Sequence, residues 1–296
     1  MTTAPAVPEG ATPANAPRRA YVAVILANIA LAFGPWFVRL ADTGPVASAF
    51  WRITLAAPLL VAMALATGWR PAGLARGLWA TLAVAGVAFA ADLASWHLGI
   101  LQTTLANATL FGNSAILIFP LYGFIATRTL PSRVQGLALA LASVGAALLM
   151  GQSYQLDPRH LGGDLLCLLA GVLYALYFIL MARARSTMPP LPALTLSTLA
   201  SIAPLLLFAT ALGERIVPTH WGALIGLALA SQVFGQGLMI YALGRLSPLV
   251  VGIALLVQPV VSATIGWLAY DERLGLPDLI GVALVAVALV LVRRER

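Results

Sequence analysis

Hydrophobic positions run along this chain in long, nearly unbroken blocks, not in the alternating pattern of half-buried strands or the one-faced pattern of soluble helices. A helix needs about 20 apolar residues to cross a bilayer core. On that requirement the chain predicts ten helices: Tyr21 to Leu40, Val46 to Thr67, Leu78 to Leu98, Thr103 to Thr127, Ser132 to Gly151, Gly162 to Ala182, Pro192 to Leu212, His220 to Leu243, Ser247 to Tyr270 and Leu276 to Val292. Polar residues collect in the short connections, which are too brief to hold a soluble domain. The expected fold class is an all-α integral membrane protein, and an even number of crossings puts both ends of the chain on one side.

The blocks also repeat. Sliding the chain by a constant 144 positions carries Arg128 onto Glu272, His97 onto Tyr241, Asp92 onto Gln236 and Ser114 onto Gln258. With small gaps, Phe33-Gly34-Pro35-Trp36-Phe37 falls on Tyr174-Ala175-Leu176-Tyr177-Phe178, and Ala57-Pro58-Leu59-Leu60 on Ala203-Pro204-Leu205-Leu206. The predicted organisation is a tail over residues 1–19, a first repeat over 20–151 (helices one to five), a linker over 152–161, a second repeat over 162–292 (helices six to ten) and a basic end over 293–296. Five crossings per repeat force the second copy to enter from the opposite face, so the two repeats are inverted. The opposite charges of Arg128 and Glu272 at equivalent ends agree with that inversion.

Composition fits the membrane reading. Of 296 residues 61% are hydrophobic and 9% charged, and the mean hydropathy is +0.95; soluble chains carry about 25% charged residues. The net charge of +7 comes from arginines scattered singly or in pairs at the ends of apolar blocks, so nucleic acid is not an expected partner. With the N-terminus inside, Arg18, Arg19, Arg70, Arg76, Arg128, Arg133, Arg183, Arg185, Arg245, Arg293, Arg294 and Arg296 lie on the inner side. Arg39, Arg159, Arg215 and Arg273 lie on the outer side. By the positive-inside rule both termini are expected in the cytoplasm and the protein in a bacterial inner membrane. Arg18-Arg19 before the first apolar block resembles a secretion signal, but the block runs on to Val38 without a small-residue cleavage site and reads as a retained helix. One cysteine, Cys167, permits no intrachain disulfide, and no metal-ligand cluster or cofactor is expected.

The run from Pro259 through Ala269-Tyr270-Asp271-Glu272-Arg273-Leu274 resembles the signature that ends the fourth helix of an EamA domain. Phe50-Trp51-Arg52 with Ala56-Ala57-Pro58-Leu59-Leu60 resembles the arginine-bearing second helix of that domain. Ten helices as two such units is the pattern of the drug/metabolite transporter superfamily, and the resemblance covers roughly residues 20 to 292. It implies a transporter of the kind that often exports amino acids or related metabolites. The first copy departs from the signature, with Arg128 in the place of its glutamate and Ala115 in the place of its proline.

Ionisable groups inside a membrane are costly and mark cavities or pairs. Arg52 and Asp92 each lie about six residues below the same predicted face, or roughly 9 Å deep at about 1.5 Å per residue. They can pair with each other; alternatively Arg52 takes a substrate carboxylate, and Asp92 takes its ammonium or a transported proton. His97 lies one turn further out and titrates near neutral pH in water. The neutral candidates for substrate binding are Asn113, Ser114, Tyr174, Tyr177, Gln232, Gln236 and Gln258, with Asn28 similar. Gln232 and Gln236, four residues apart, share a helix face. Interhelical hydrogen bonding is the structural alternative for each amide. Trp36 and Trp267 can wall a site or anchor the interface. Gly34, Pro35, Pro58, Pro120, Pro204 and Pro259 interrupt the helices and are candidate hinges.

Nucleophile-elbow, HExxH and P-loop patterns do not occur, so an enzyme or a built-in ATP drive is not expected. The expected function is a secondary transporter exporting small organic solutes, foremost amino acids, by alternating access through a cavity between the repeats. Drugs, nucleosides or sugars are alternative substrates, and an intramembrane enzyme acting on a lipid-linked substrate is a second alternative. The expected partners are a small-molecule substrate, the lipid bilayer and protons, and a monomer suffices for this scheme.

Overall fold

The computed structural model describes residues 18–71, 73–102, 108, 111–151, 161–270 and 276–294, and these form helices without strands. The spans are α1 (Arg18–Leu40), α2 (Pro45–Ala66), α3 (Arg76–Gln102), α4 (Ala115–Thr127), α5 (Arg133–Gly151), α6 (Leu161–Arg185), α7 (Pro190–Ala211) and α8 (Gly222–Leu243). They are followed by α9, in two segments Pro248–Ala254 and Val257–Tyr270, and α10 (Leu276–Arg294). Six of these, α1 to α3 and α6 to α8, are long and apolar enough to cross a membrane, and shorter apolar stretches lie in α4, α5 and α9. The tail, the linker over 152–160 and the Asp271-Glu272-Arg273 stretch lie outside the described residues.

The repeat seen in the sequence is visible in the helices themselves. α2 and α7 are both 22 residues long, begin with proline and contain a proline, Pro58 and Pro204 respectively. Proline costs nothing at a helix start, where its missing N–H would have no partner. Just past each end stands a glycine with positive φ, Gly68 at 81° and Gly213 at 67°, a conformation that suits a residue without Cβ.

The two halves interleave. α3 packs on α6 and α7, while its counterpart α8 packs on α1 and α2; α2 meets α7, α4 meets α9, and α5 meets α10. Adding five to every helix number leaves this set of pairings unchanged, as a pseudo-twofold relation between inverted repeats requires. Glycines permit the closest approaches. A Cβ at Gly86 would lie 2.5 Å from the Ala200 side chain, one at Gly99 would strike Cys167, and one at Gly163 would lie 2.8 Å from the Gln102 backbone. Without hydrophobic drive between helices in lipid, such small-residue contacts supply the packing that holds α3 to α6 and α7.

Breaks in the helices fall where hydrogen bonding fails. α1 is interrupted at Phe33, directly before Gly34-Pro35. α9 is interrupted at Leu255 and Leu256; the proline at 259 has no N–H to give the Leu255 carbonyl, which accepts instead from Gln258 N at 3.1 Å. The backbone also turns at Asn113 and Ser114, directly before α4. By contrast Pro58, Pro120 and Pro204 sit inside continuous helices. α8 departs from α-helical form over Ala228–Gln236, a nine-residue π-helical stretch that has no counterpart in α3.

Candidate functional site

Between the halves lies a cavity of about 50 Å³ walled by α1, α2, α3, α6, α8, α9 and the turn before α4. Its polar lining is Arg52, Asp92, Asn113, Tyr174, Gln236 and Gln258; Leu31, Phe89, Leu93, Trp96 and Gly112 complete the wall. A water needs on the order of 10–15 Å³ by this measure. The cavity therefore holds a few waters, and an organic solute requires the walls to part.

Arg52 comes from α2 and Asp92 from α3, both buried. They face the same cavity, and among the described residues no ion pair within 4 Å joins them. Arg52 is held instead from the other half, where its Nε donates to Gln232 Oε1 at 3.3 Å, and Gln232 Nε2 donates to Thr198 Oγ1 at 3.0 Å. The guanidinium carbon lies 5.8 Å from the Phe89 ring centre, within cation–π range. Phe89 stacks on Tyr177 at 4.5 Å and on Tyr174 at 6.4 Å, so one aromatic cluster carries the floor beneath Arg52.

The amides divide into two groups. Gln236 Nε2 donates to Tyr174 Oη at 3.0 Å, which leaves Gln236 Oε1 buried and unpartnered. Gln258 Nε2 donates to Asn28 Oδ1 at 2.8 Å, and Asn28 Nδ2 to the Val24 carbonyl at 2.7 Å, tying α9 to α1. Ser114 Oγ has no partner and sits where a Cβ on Gly171 would fall.

Several sequence candidates sit outside the cavity lining. His97 is fully buried; its Nδ1 lies 2.9 Å from the Pro45 carbonyl and 3.0 Å from Ser48 Oγ, so it braces the start of α2. Gln232, Ser114 and Tyr177 stand behind the wall, and Trp267 is half exposed at 52%. Sequence reasoning passed over Phe89, Leu93, Trp96, Leu31 and Thr198. Apolar and hydroxyl side chains in an apolar helix carry no signal of a cavity; Leu93 beside Asp92 and Trp96 beside His97 directly adjoined residues already singled out, but adjacency alone does not put a side chain on the same helix face.

One end of the molecule is closed by contacts between the halves. Glu214, after α7, accepts hydrogen bonds from Val46 N at 3.2 Å and Ala47 N at 2.7 Å, capping α2 from the other repeat. Gly44 N donates to the Arg215 carbonyl at 3.1 Å, and Trp51 Nε1 to the Ile216 carbonyl at 2.6 Å; the Trp51 ring meets Trp221 edge-on at 4.8 Å. Asp42 Oδ2 accepts from Thr219 N at 2.8 Å and His220 N at 3.2 Å. Partial desolvation pushes the Asp42 carboxyl up, but these donors outweigh it and hold it below the ordinary carboxylate value.

Paired breaks at corresponding places in inverted halves, with polar side chains beside them at mid-membrane, are a recurring architecture of transporter binding sites. The turn at Asn113-Ser114 and the break at Leu255-Leu256 form such a pair, and Asn113 and Gln258 both reach the cavity. Residues 161–294 match the EamA-like transporter family. The chain is related to the EamA-like transporters. An Archaeoglobus fulgidus protein described as an uncharacterized transporter is 25% identical over 245 residues, covering 80% of this chain and 83% of the relative. A crystal structure of another protein superposes with a TM-score of 0.74 over 94% of this chain and 98% of that one; at 15% identity this likeness shows the fold alone. The apolar helices make this chain a multi-pass membrane protein, and the match of residues 161–294 supports a membrane transporter in general, in agreement with the signature read at Pro259 to Leu274.

Proposed function

We propose that this chain is a secondary transporter that exports amino acids by alternating access through the cavity between its repeats. The observation that carries the reading is the placement of a buried guanidinium and a buried carboxyl on one cavity, Arg52 and Asp92, beside the paired breaks of α4 and α9. An amino acid presents a carboxylate and an ammonium. Arg52 offers a planar fork of donors to the first, and Asp92 with the unpartnered Gln236 Oε1 offers acceptors to the second. The end closed by Glu214 and Asp42 is then the shut side, and transport opens it while closing the other. The arginine distribution puts that shut end outside a bacterial inner membrane, with both termini in the cytoplasm; the outward direction follows from the family resemblance. Asp92 is the acid on the cavity, so proton coupling passes through it. No bond is made or broken in this scheme, and it uses no cofactor.

Counterflow in proteoliposomes loaded with amino acids, nucleosides, sugars or cationic drugs tests the substrate class. Labelled amino acid is expected to enter only when amino acids are inside. Arg52→Gln is expected to abolish exchange while the protein stays folded, and Asp92→Asn to remove its pH dependence. Exchange of nucleosides, sugars or drugs without amino acids replaces the substrate, and a folded Arg52→Gln variant with unchanged exchange removes the carboxylate role.

A further inference from the structure

We infer that Thr198 is a positioning residue that, through Gln232, fixes the orientation in which Arg52 meets a substrate carboxylate; the inference rests on the amino-acid reading above. The three residues come from three helices in both halves: Arg52 on α2, Thr198 on α7 and Gln232 on the π-helical stretch of α8. All are buried, Arg52 at 2% exposure and the other two at 0%. Arg52 lines the cavity, whereas Gln232 and Thr198 stand behind it.

The geometry has a direction. A glutamine side chain has an acceptor end and a donor end, and an arginine has donors only. Arg52 Nε at 3.3 Å therefore requires the Gln232 oxygen to face it. Turned over, the amide would set its own N–H groups against those of the guanidinium. The guanidinium, which has donors only, sets that orientation, and the Thr198 hydroxyl, 3.0 Å from Gln232 Nε2, accepts from that nitrogen and anchors the far end of the amide so that it stays on Arg52. With Nε occupied, the planar group is fixed about its long axis and its terminal nitrogens remain for a carboxylate, which they can bind as a two-pronged fork. The π-helical stretch carries Gln232 to this contact, a use consistent with the frequent occurrence of such stretches at functional sites.

Thr198→Val keeps the shape and removes the hydroxyl acceptor; Thr198→Ser keeps the acceptor. The experiment compares counterflow KM and maximal rate for an amino acid and for its carboxamide, which retains the ammonium but lacks the carboxylate. Thr198→Val is expected to raise KM for the amino acid roughly tenfold, the factor that corresponds to one well-oriented hydrogen bond. Its maximal rate and the KM of the carboxamide are expected to stay unchanged, and Thr198→Ser to restore the wild-type ratio. Equal shifts for both compounds, or no shift in a Thr198→Val protein that exchanges amino acids, overturn the inference while leaving the transporter reading intact. Wild-type protein that exchanges no amino acid overturns both.

Discussion

At the scale of single residues, the site depends on how closely backbones approach behind it. Gly171 on α6 faces Ser114 so tightly that a Cβ would collide with Ser114 Oγ and lie 2.6 Å from the Phe111 carbonyl. Gly171→Ala must therefore displace the turn at Asn113-Ser114, and overpacking of this kind costs about 1–3 kcal/mol. Gly136 on α5 has nothing within 4 Å of its missing Cβ, so Gly136→Ala is expected to be neutral or to stabilise by about 0.5–1 kcal/mol. Thermal unfolding of the two purified variants checks this: Gly171→Ala melts below wild type, and Gly136→Ala at or above it. Equal melting temperatures would mean that α4 and α6 do not meet at Gly171. The same contact explains a partial reading from sequence. Arg52, Asp92, Asn113, Tyr174, Gln236 and Gln258 stood out as polar groups in apolar blocks, and they line the cavity. Ser114, Gln232 and Tyr177 stood out for the same reason yet lie behind it, because a polar side chain inside a membrane is drawn equally to a cavity and to a neighbouring helix.

At the scale of elements, the spans were legible and their interruptions only in part, since the breaks of α1 and α9 fall just before Gly34-Pro35 and Pro259 while the other interruptions had no such mark. Twenty apolar residues suffice to announce a crossing. Whether a proline breaks a helix depends on its surroundings: Pro58, Pro120 and Pro204 are absorbed in continuous helices, while α9 breaks at Leu255 and α8 becomes π-helical without any proline. The cross-repeat cap of α2 by Glu214 was equally hidden, since 167 positions separate Glu214 from Ala47. That cap carries a prediction. Losing an N-cap costs about 1 kcal/mol, enough to shift a closed-to-open ratio about fivefold. With Cys167→Ser as background, a cysteine at Leu31 in the cavity wall is expected to react about fivefold faster with a membrane-impermeant thiol reagent from the Asp42 side when Glu214→Ala is added. An unchanged rate would show that Glu214 does not hold this end shut. Asp42 adds an acid limit. Its carboxyl is lowered in the folded state, so its contribution is complete above its ordinary value of about 3.9 and is lost as pH falls through the lowered value. Any change in labelling between pH 5 and 8 is therefore expected to owe nothing to titration of Asp42, which stays ionised throughout.

At the scale of the whole molecule, the inverted repeat converts one helical design into two opposed surfaces. Thr67 follows α2 and Leu212 follows α7, each directly before a positive-φ glycine, and both are exposed. In a parallel repeat these equivalent positions would share a side of the membrane; five crossings apart, they must lie on opposite sides. The arginine count then decides which is which, placing Thr67 in the cytoplasm and Leu212 outside. Thr67→Cys and Leu212→Cys, each made in the Cys167→Ser background, separate the two claims in one experiment with a membrane-impermeant maleimide on intact cells. Leu212→Cys is expected to label at once, and Thr67→Cys only after the membrane is permeabilised. Labelling of both from one side would remove the inversion, and with it the structural basis of the alternating access proposed above. The reverse pattern would keep the inversion and turn the protein over in the membrane, so that the end latched by Glu214 and Asp42 faces the cytoplasm. The cavity and its chemistry would then be unchanged, but the latched end would shut off the inner solution, and opening toward that solution would begin by breaking the cap on α2.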